Sequence, residues 1–152
     1  MKQRLTPYTV APDGVAALVA VENYLKTCGL DHKLLTLVKT RVSQINGCAY
    51  CLHMHTEEAR KLGETPTRLY LLDAWHESNL YSDRERAALA WAESLTNISA
   101  THAPDEVYEQ ARRQFNEKAL ADLSIAIAMI NAWNRLSIGV RAAHPSDMAR
   151  AA

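Results

Sequence analysis

Two cysteines and a histidine within one short stretch are the clearest candidates for chemistry in this chain. The stretch reads Cys48-Ala49-Tyr50-Cys51-Leu52-His53-Met54-His55. Residues three or four apart share a helix face, so Cys51 would lie beside Cys48, and His55 one turn beyond Cys51. The unpaired N–H groups of a helix's first turn favour the thiolate and lower the pKa of a cysteine there. The spacing therefore predicts a reactive thiol pair with an imidazole base close by.

Two other interpretations of this stretch remain open. Cys48, Cys51, His53 and His55 are residue types that together can bind zinc tetrahedrally. However, His53 and His55 would point about 200° apart on a helix, which disfavours one shared ion. Alternatively, both thiols are small core groups and His55 is a satisfied polar residue. Two cysteines at disulfide-capable spacing on a helix start make that coincidence unattractive. Redox chemistry is therefore favoured over both.

The composition of the 152-residue chain limits its partners. Lys+Arg and Asp+Glu are equal at 17, so no basic surface for nucleic acid is expected. Apolar runs fall short of the ~18 to 20 residues that a membrane span needs, and the N-terminus lacks a signal peptide's apolar stretch. We therefore expect one cytoplasmic domain over residues 1–152 that binds neither nucleic acid nor membrane. The third cysteine, Cys28, has no partner nearby in sequence and is interpreted as structural.

Helix punctuation recurs along the chain and predicts the elements that position the motif. Asp31 is a predicted N-cap for an apolar-striped helix, and the turn Asn46-Gly47 ends that helix directly before Cys48. The motif helix then covers roughly residues 48–62. No segment alternates as a strand would. The fold class is therefore all-α, a single-domain bundle of about seven helices after an irregular segment 1–12.

The last predicted helix, opened by Asn116, is apolar on nearly every side. Such a helix must be buried on all sides, and seven short helices offer limited cover. Either it is the central helix of the bundle, or a second subunit covers part of it. A homo-oligomer that assembles through its helices is the favoured interpretation.

The motif and its surroundings are similar to a known family. Residues 37–64, LVKTRVSQINGCAYCLHMHTEEARKLGE, resemble the AhpD-like alkylhydroperoxidase branch of the carboxymuconolactone decarboxylase family. Residues 74–78, 85–93 and 131–135 resemble it too. The resemblance implies a helical fold in trimers or hexamers, and a thiol peroxidase that needs no metal, flavin or haem.

The resemblance also implies roles for the three motif residues. Cys51 would be oxidised by the hydroperoxide, Cys48 would resolve it into a disulfide, and His55 would belong to a proton relay. An external dithiol or a protein reductant would then restore both thiols.

Two positions depart from the family's pattern. The relay glutamate expected twelve residues before the first cysteine is Thr36, whose hydroxyl cannot act as a carboxylate base near neutral pH. His53 stands where the branch often has aspartate, and we interpret it as a surface residue. Activation of Cys51 would then depend on His55 and the helix N-terminus, or on another carboxylate that the fold brings near.

The sequence thus predicts a peroxidase-type oxidoreductase that reduces small-molecule hydroperoxides, with Cys51, Cys48 and His55 as its catalytic residues. The replacement at Thr36 keeps two alternatives open. One is an oxidoreductase that acts on protein disulfides. The other is a non-catalytic oligomer that binds partners or senses redox state.

Overall fold

The computed structural model describes residues 2–144, and that part of the chain is entirely helical, without a strand. It contains nine α-helices and one 3-10 helix, Leu72–Glu77. The α-helices are α1 Pro7–Val10, α2 Pro12–Leu25, α3 His32–Asn46, α4 Ala49–Lys61, α5 Pro66–Tyr70, α6 Asp83–Thr96, α7 Ile98–Thr101, α8 Asp105–Gln114 and α9 Glu117–Val140.

The all-α prediction is confirmed, although the described residues hold more helices than the seven expected. The additional ones are short: α1, α7 and the 3-10 helix have four, four and six residues. The expectation that residues 1–12 are irregular was wrong for α1. Pro7 stands at the first helical position, where its fixed φ suits a helix and its missing N–H is not needed.

Side-chain caps set the start of α3, α6 and α9, as the sequence predicted. Asp31 accepts a hydrogen bond from the Leu34 backbone N–H at 3.0 Å, and Asn116 accepts one from Ala119 at 2.8 Å. Ser82 opens α6 with a full capping box. Each cap satisfies an N–H group that would otherwise lack a partner in the first turn. The helix starts around the site are therefore fixed by local sequence.

Helix α9 is buried in the core on one face, and apolar side chains are exposed on another. Its Leu123 and Ile127 are fully buried in the main core, which α3 and α6 also build. Ile125 and Leu136 are 40% and 36% exposed. Helix α9 is also long and apolar enough to cross a membrane, contrary to the sequence expectation, although the core helix of a globular protein meets the same criterion.

A network of side-chain amides fastens the end of α3 to α9. Asn46 Nδ2 donates to the side-chain oxygens of Asn131 and Asn134, each at 2.9 Å. Asn134, which is fully buried, donates in turn to Ser43 Oγ at 3.1 Å. Buried amides without partners are costly, so this network holds α3 and α9 in one relative position. It also fixes the residue from which the chain turns toward Cys48.

Candidate active site

The turn between α3 and α4 places Cys48 at the start of α4. Gly47 adopts the left-handed conformation, φ 67°, that ends many helices and that glycine tolerates best. The Cys48 N–H then donates to the Ser43 carbonyl at 3.0 Å. The sequence predicted that Cys48 is the first residue of the helix. It is instead the N-cap, and its Sγ accepts a hydrogen bond from Cys51 N at 3.3 Å. The positive end of α4 therefore acts directly on the Cys48 sulfur.

Cys48 and Cys51 are joined by a disulfide. Their Cα atoms lie 5.3 Å apart, within the range that a disulfide spans, and each residue is only 1% exposed. The spacing prediction that the two thiols are neighbours is confirmed. Such a pair can give and take two electrons by switching between dithiol and disulfide. Cys28 is a free cysteine apart from the pair, and its thiol donates to the Leu25 carbonyl.

The imidazole of His55 is buried beside Cys51, with its two nitrogens in different situations. Nδ1 lies 3.2 Å from Glu58 Oε2, which we assign as an Nδ1–H donor to the carboxylate. Nε2 is buried and has no hydrogen-bond partner among the described residues. In this tautomer Nε2 holds a free lone pair, and leaving it unpaired costs ~1 to 3 kcal/mol. His55 is thus arranged to accept a proton from a group in the adjacent cavity.

Glu58 is the carboxylate next to the imidazole, and sequence reasoning missed it. The hydrogen bond from His55 is the main cause of a lowered pKa for Glu58, and charges on Lys39 and His32 lower that pKa further, against a smaller opposite effect of burial. Glu58 therefore stays ionised at neutral pH and holds Nδ1–H in place. The signal was available, since a residue three after His55 lies on the same helix face.

A cavity of about 280 Å³ brings Cys51 and His55 together. Helices α2, α3, α4 and α9 form most of its wall, with apolar side chains that include Val19 and Leu35. Glu22 accepts hydrogen bonds from Lys39 Nζ at 2.6 Å and from the Trp133 indole N–H at 3.1 Å. The cavity therefore combines an apolar wall with the Glu22–Lys39 ion pair, which suits a small organic molecule.

Thr36 lines this cavity too, at the position where the family pattern has glutamate. Its side chain is buried, and its hydroxyl donates to the His32 carbonyl at 2.8 Å within α3. That hydrogen bond occupies its one proton. Thr36 therefore contributes a neutral acceptor to the cavity but no negative charge.

His53 is not part of this arrangement. Its ring packs edge-on against the ring of His144, with centroids 4.3 Å apart, and it does not line the cavity that contains Cys51. Over residues 2–144 no three His, Cys, Asp or Glu side chains are grouped as metal ligands. The structure does not bring the four residues of the zinc interpretation together.

The fold and the disulfide define the chain as an all-helical protein with a buried Cys-x-x-Cys pair. Residues 12–94 match the model of the carboxymuconolactone decarboxylase family. The chain is 45% identical to the uncharacterised protein YdfG of Bacillus subtilis, over 92% of this chain and 95% of that protein. It belongs to the carboxymuconolactone decarboxylase family.

Solved structures agree with this family and with its AhpD-like branch. The first is ATU0492 of Agrobacterium tumefaciens, a protein of unknown function provisionally named an antioxidant defence protein AhpD. It is 39% identical, with a TM-score of 0.92 over 95% of this chain and 99% of that chain. The second is an uncharacterised peroxidase-related protein from Silicibacter, 25% identical, with a TM-score of 0.75 over 88% of this chain and 71% of its own. The resemblance identified from the motif is confirmed.

Proposed function

We propose that this protein is a thiol peroxidase that reduces small organic hydroperoxides through the Cys48–Cys51 couple. The observation that carries the proposal is the cavity shared by Cys51 and His55, whose buried Nε2 has no hydrogen-bond partner within residues 2–144. A nucleophilic sulfur, a proton acceptor and room for a small organic molecule are the three requirements of this reaction. The names of the Agrobacterium and Silicibacter relatives support the same reaction class.

In the oxidation step, His55 Nε2 accepts the proton of the Cys51 thiol. The thiolate attacks one peroxide oxygen, the O–O bond breaks, and the alkoxide that leaves is protonated by His55 to give an alcohol. Cys51 is then a sulfenic acid. The Cys48 sulfur attacks the Cys51 sulfur, water leaves, and the disulfide forms. An external dithiol returns both residues to thiols and is itself oxidised.

A protein disulfide is the second candidate substrate, because Thr36 provides no relay carboxylate. Two observations support the peroxide instead. Both cysteines are 1% exposed, which leaves little room for the backbone of a partner protein at Cys51. Glu58 also supplies a carboxylate to His55 from its own helix. A non-catalytic redox sensor remains the third possibility, and the mass experiment below separates it from both enzymes by turnover.

Intact-mass analysis tests the proposed function directly. The reduced protein is treated with one equivalent of cumene hydroperoxide, and we expect rapid loss of the mass of two hydrogens with release of one cumyl alcohol. Repeated addition of dithiol and peroxide should give many turnovers. A protein that reduces insulin disulfides rapidly but leaves the peroxide unchanged would support the second candidate and contradict ours. A single slow oxidation without turnover would indicate a sensor.

We expect Glu58→Gln to slow oxidation by peroxide by roughly three- to tenfold. The amide can still accept from Nδ1–H but no longer balances a positive imidazole, and Glu58 is half exposed, which limits its effect. The measurement is the rate of sulfenic acid formation in stopped-flow experiments. Glu57→Gln is the matched control, since Glu57 is equally solvated and pairs with Arg60 instead. Equal rates for the two variants would remove Glu58 from the mechanism.

We also propose that the protein assembles through α9, as a trimer or a hexamer. Ile125 and Leu136 lie eleven residues apart, about 20° from the same helix direction, and both are exposed. They form an apolar strip that a second copy of α9 would cover. The cytoplasmic location remains a prediction from the sequence.

A further inference from the structure

A second cavity lies beside Cys48, the other cysteine of the disulfide. It encloses about 220 Å³ and is lined by Cys48 but not by Cys51, whereas the larger cavity is lined by Cys51 but not by Cys48. Tyr50, between the two cysteines in sequence, lines both. Each cysteine of the pair therefore lines a different cavity, and Ser137 of α9 is a second residue that lines both.

The end of α9 builds the far wall of this second cavity. Ile138 lies on the same side of α9 as Ile127, Asn131 and Asn134, but beyond the core, where it is half exposed and lines the cavity beside Cys48. Arg4 holds this end of the helix, since its N–H donates to the Val140 carbonyl at 2.8 Å. The backbone of this wall is thus fixed to the N-terminal segment.

Positive charge lines the same cavity. Arg141, which ends α9 in the left-handed conformation with φ 55°, belongs to its wall. Across residues 2–144 its guanidinium forms no ion pair. The first turn of α4 adds partial positive charge at Cys48. An anion, and a thiolate in particular, would be favoured in this cavity over a neutral group.

We propose that the second cavity is the binding site of the reductant, a low-molecular-weight dithiol that attacks Cys48, while the hydroperoxide uses the other cavity. The proposal rests on the proposed dithiol–disulfide cycle and names where its second substrate binds. Both sulfurs are buried, so access through a cavity decides which one a thiolate can reach.

The chemistry balances with the residues present. One thiolate of the dithiol attacks Cys48 Sγ, the Cys48–Cys51 bond breaks, and Cys51 leaves as a thiolate. Solvent returns to Cys51 the proton that the attacking thiol lost. The second thiol of the reductant then attacks the reductant sulfur that is bonded to Cys48 Sγ. A disulfide forms within the reductant, and Cys48 leaves as a thiolate stabilised by the Cys51 N–H. Two electrons pass from the dithiol to the protein disulfide.

Trapping on the unmodified protein tests which sulfur is attacked. The oxidised protein is mixed with 2-mercaptoethanesulfonate, an anionic monothiol that cannot complete the second step, and is quenched with iodoacetamide. Peptide fragmentation then locates the two adducts. We expect the monothiol on Cys48 and the alkyl group on Cys51. The opposite distribution would overturn the proposal, and an even distribution would do so as well.

Filling each cavity with a larger side chain tests whether the two substrates bind at separate sites. We expect Ile138→Trp to slow reduction of the disulfide by dihydrolipoate by about tenfold or more, with oxidation by peroxide changed less than about twofold. Val19→Trp, in the wall of the Cys51 cavity, should do the reverse. Ile98→Trp is the matched control, because Ile98 and Ile138 are 47% and 46% exposed and Ile98 lines neither cavity. Slowing of both half-reactions by Ile138→Trp would contradict separate sites.

The test of attack at Cys48 does not depend on whether the protein reduces a hydroperoxide. Reduction is measured on the disulfide form alone, so a protein that reduces no hydroperoxide can still show attack at Cys48. Conversely, rapid peroxide turnover with the monothiol found on Cys51 would leave the proposed function intact and remove the second site. Circular dichroism of each variant identifies any loss of fold, and the trapping experiment needs no variant.

Discussion

Cys51→Ser should lower peroxide turnover by roughly a thousandfold or more and should prevent any sulfenic acid from forming. A serine hydroxyl stays protonated at neutral pH and is a poor nucleophile toward a peroxide oxygen. The assignment depends on location, because Cys51 and not Cys48 lines the cavity that His55 lines. The measurements are cumene hydroperoxide consumption and labelling by a dimedone-type reagent.

Cys48→Ser is the informative counterpart of that variant. Without a resolving thiol, the sulfenic acid on Cys51 should accumulate, react with dimedone and proceed to sulfinic acid at higher peroxide. Cys28→Ser should behave as the wild type, since Cys28 lies outside both cavities. The rival assignment makes Cys48 the nucleophile, because the Cys51 N–H at the start of α4 donates to the Cys48 sulfur. Persistent labelling in Cys51→Ser, lost in Cys48→Ser, would show that Cys48 is the nucleophile.

The parts of the site that could be predicted are those that one helix supplies by itself. Cys48, Cys51 and His55 are local in sequence, so the 3.6-residue period and the turn Asn46-Gly47 were enough to place them together. The caps at Asp31, Ser82 and Asn116 were predictable for the same reason. Local geometry follows from a few neighbouring residues and needs no knowledge of the fold.

What could not be predicted depends on how distant helices pack. The ion pair of Glu22 with Lys39 joins α2 to α3, and the Trp133 indole reaches Glu22 from α9. Neither contact has a sequence signature, because each of these residues is ordinary on its own helix. The cavity beside Cys51, which all three of these residues line, depends on such contacts. Glu58 is the intermediate case, since it is local in sequence but was given no role in the site.

The number of helices was underestimated for a related reason. The one-turn helices α1 and α7 are too short to show apolar periodicity, and their residues resemble loops in composition. In α1, the backbone N–H of Ala11 donates to the Pro7 carbonyl directly before α2 begins. Neither helix has a buried residue, so no apolar pattern marks them in the sequence.

Replacing His55 should give the second largest loss of activity, and it should do so without lowering the stability of the protein. His55→Leu removes the proton acceptor beside Cys51, and we expect oxidation by peroxide to slow by about a hundredfold at neutral pH. It also removes a buried nitrogen that has no hydrogen-bond partner among the described residues, which costs stability in the wild type. The melting temperature of the variant should therefore stay level or rise while activity falls.

The pH dependence of His55→Leu distinguishes a base from a merely structural residue. If His55 serves to remove the Cys51 proton, the variant should recover at alkaline pH, where solvent ionises the thiol without a base. The rate of sulfenic acid formation is measured from about pH 6 to about pH 10. His53→Leu is the control, because His53 contacts His144 and lies outside the Cys51 cavity. A deficit in His55→Leu that stays constant across this range would mean that His55 only shapes the cavity, and the proton would then have to leave Cys51 by another route.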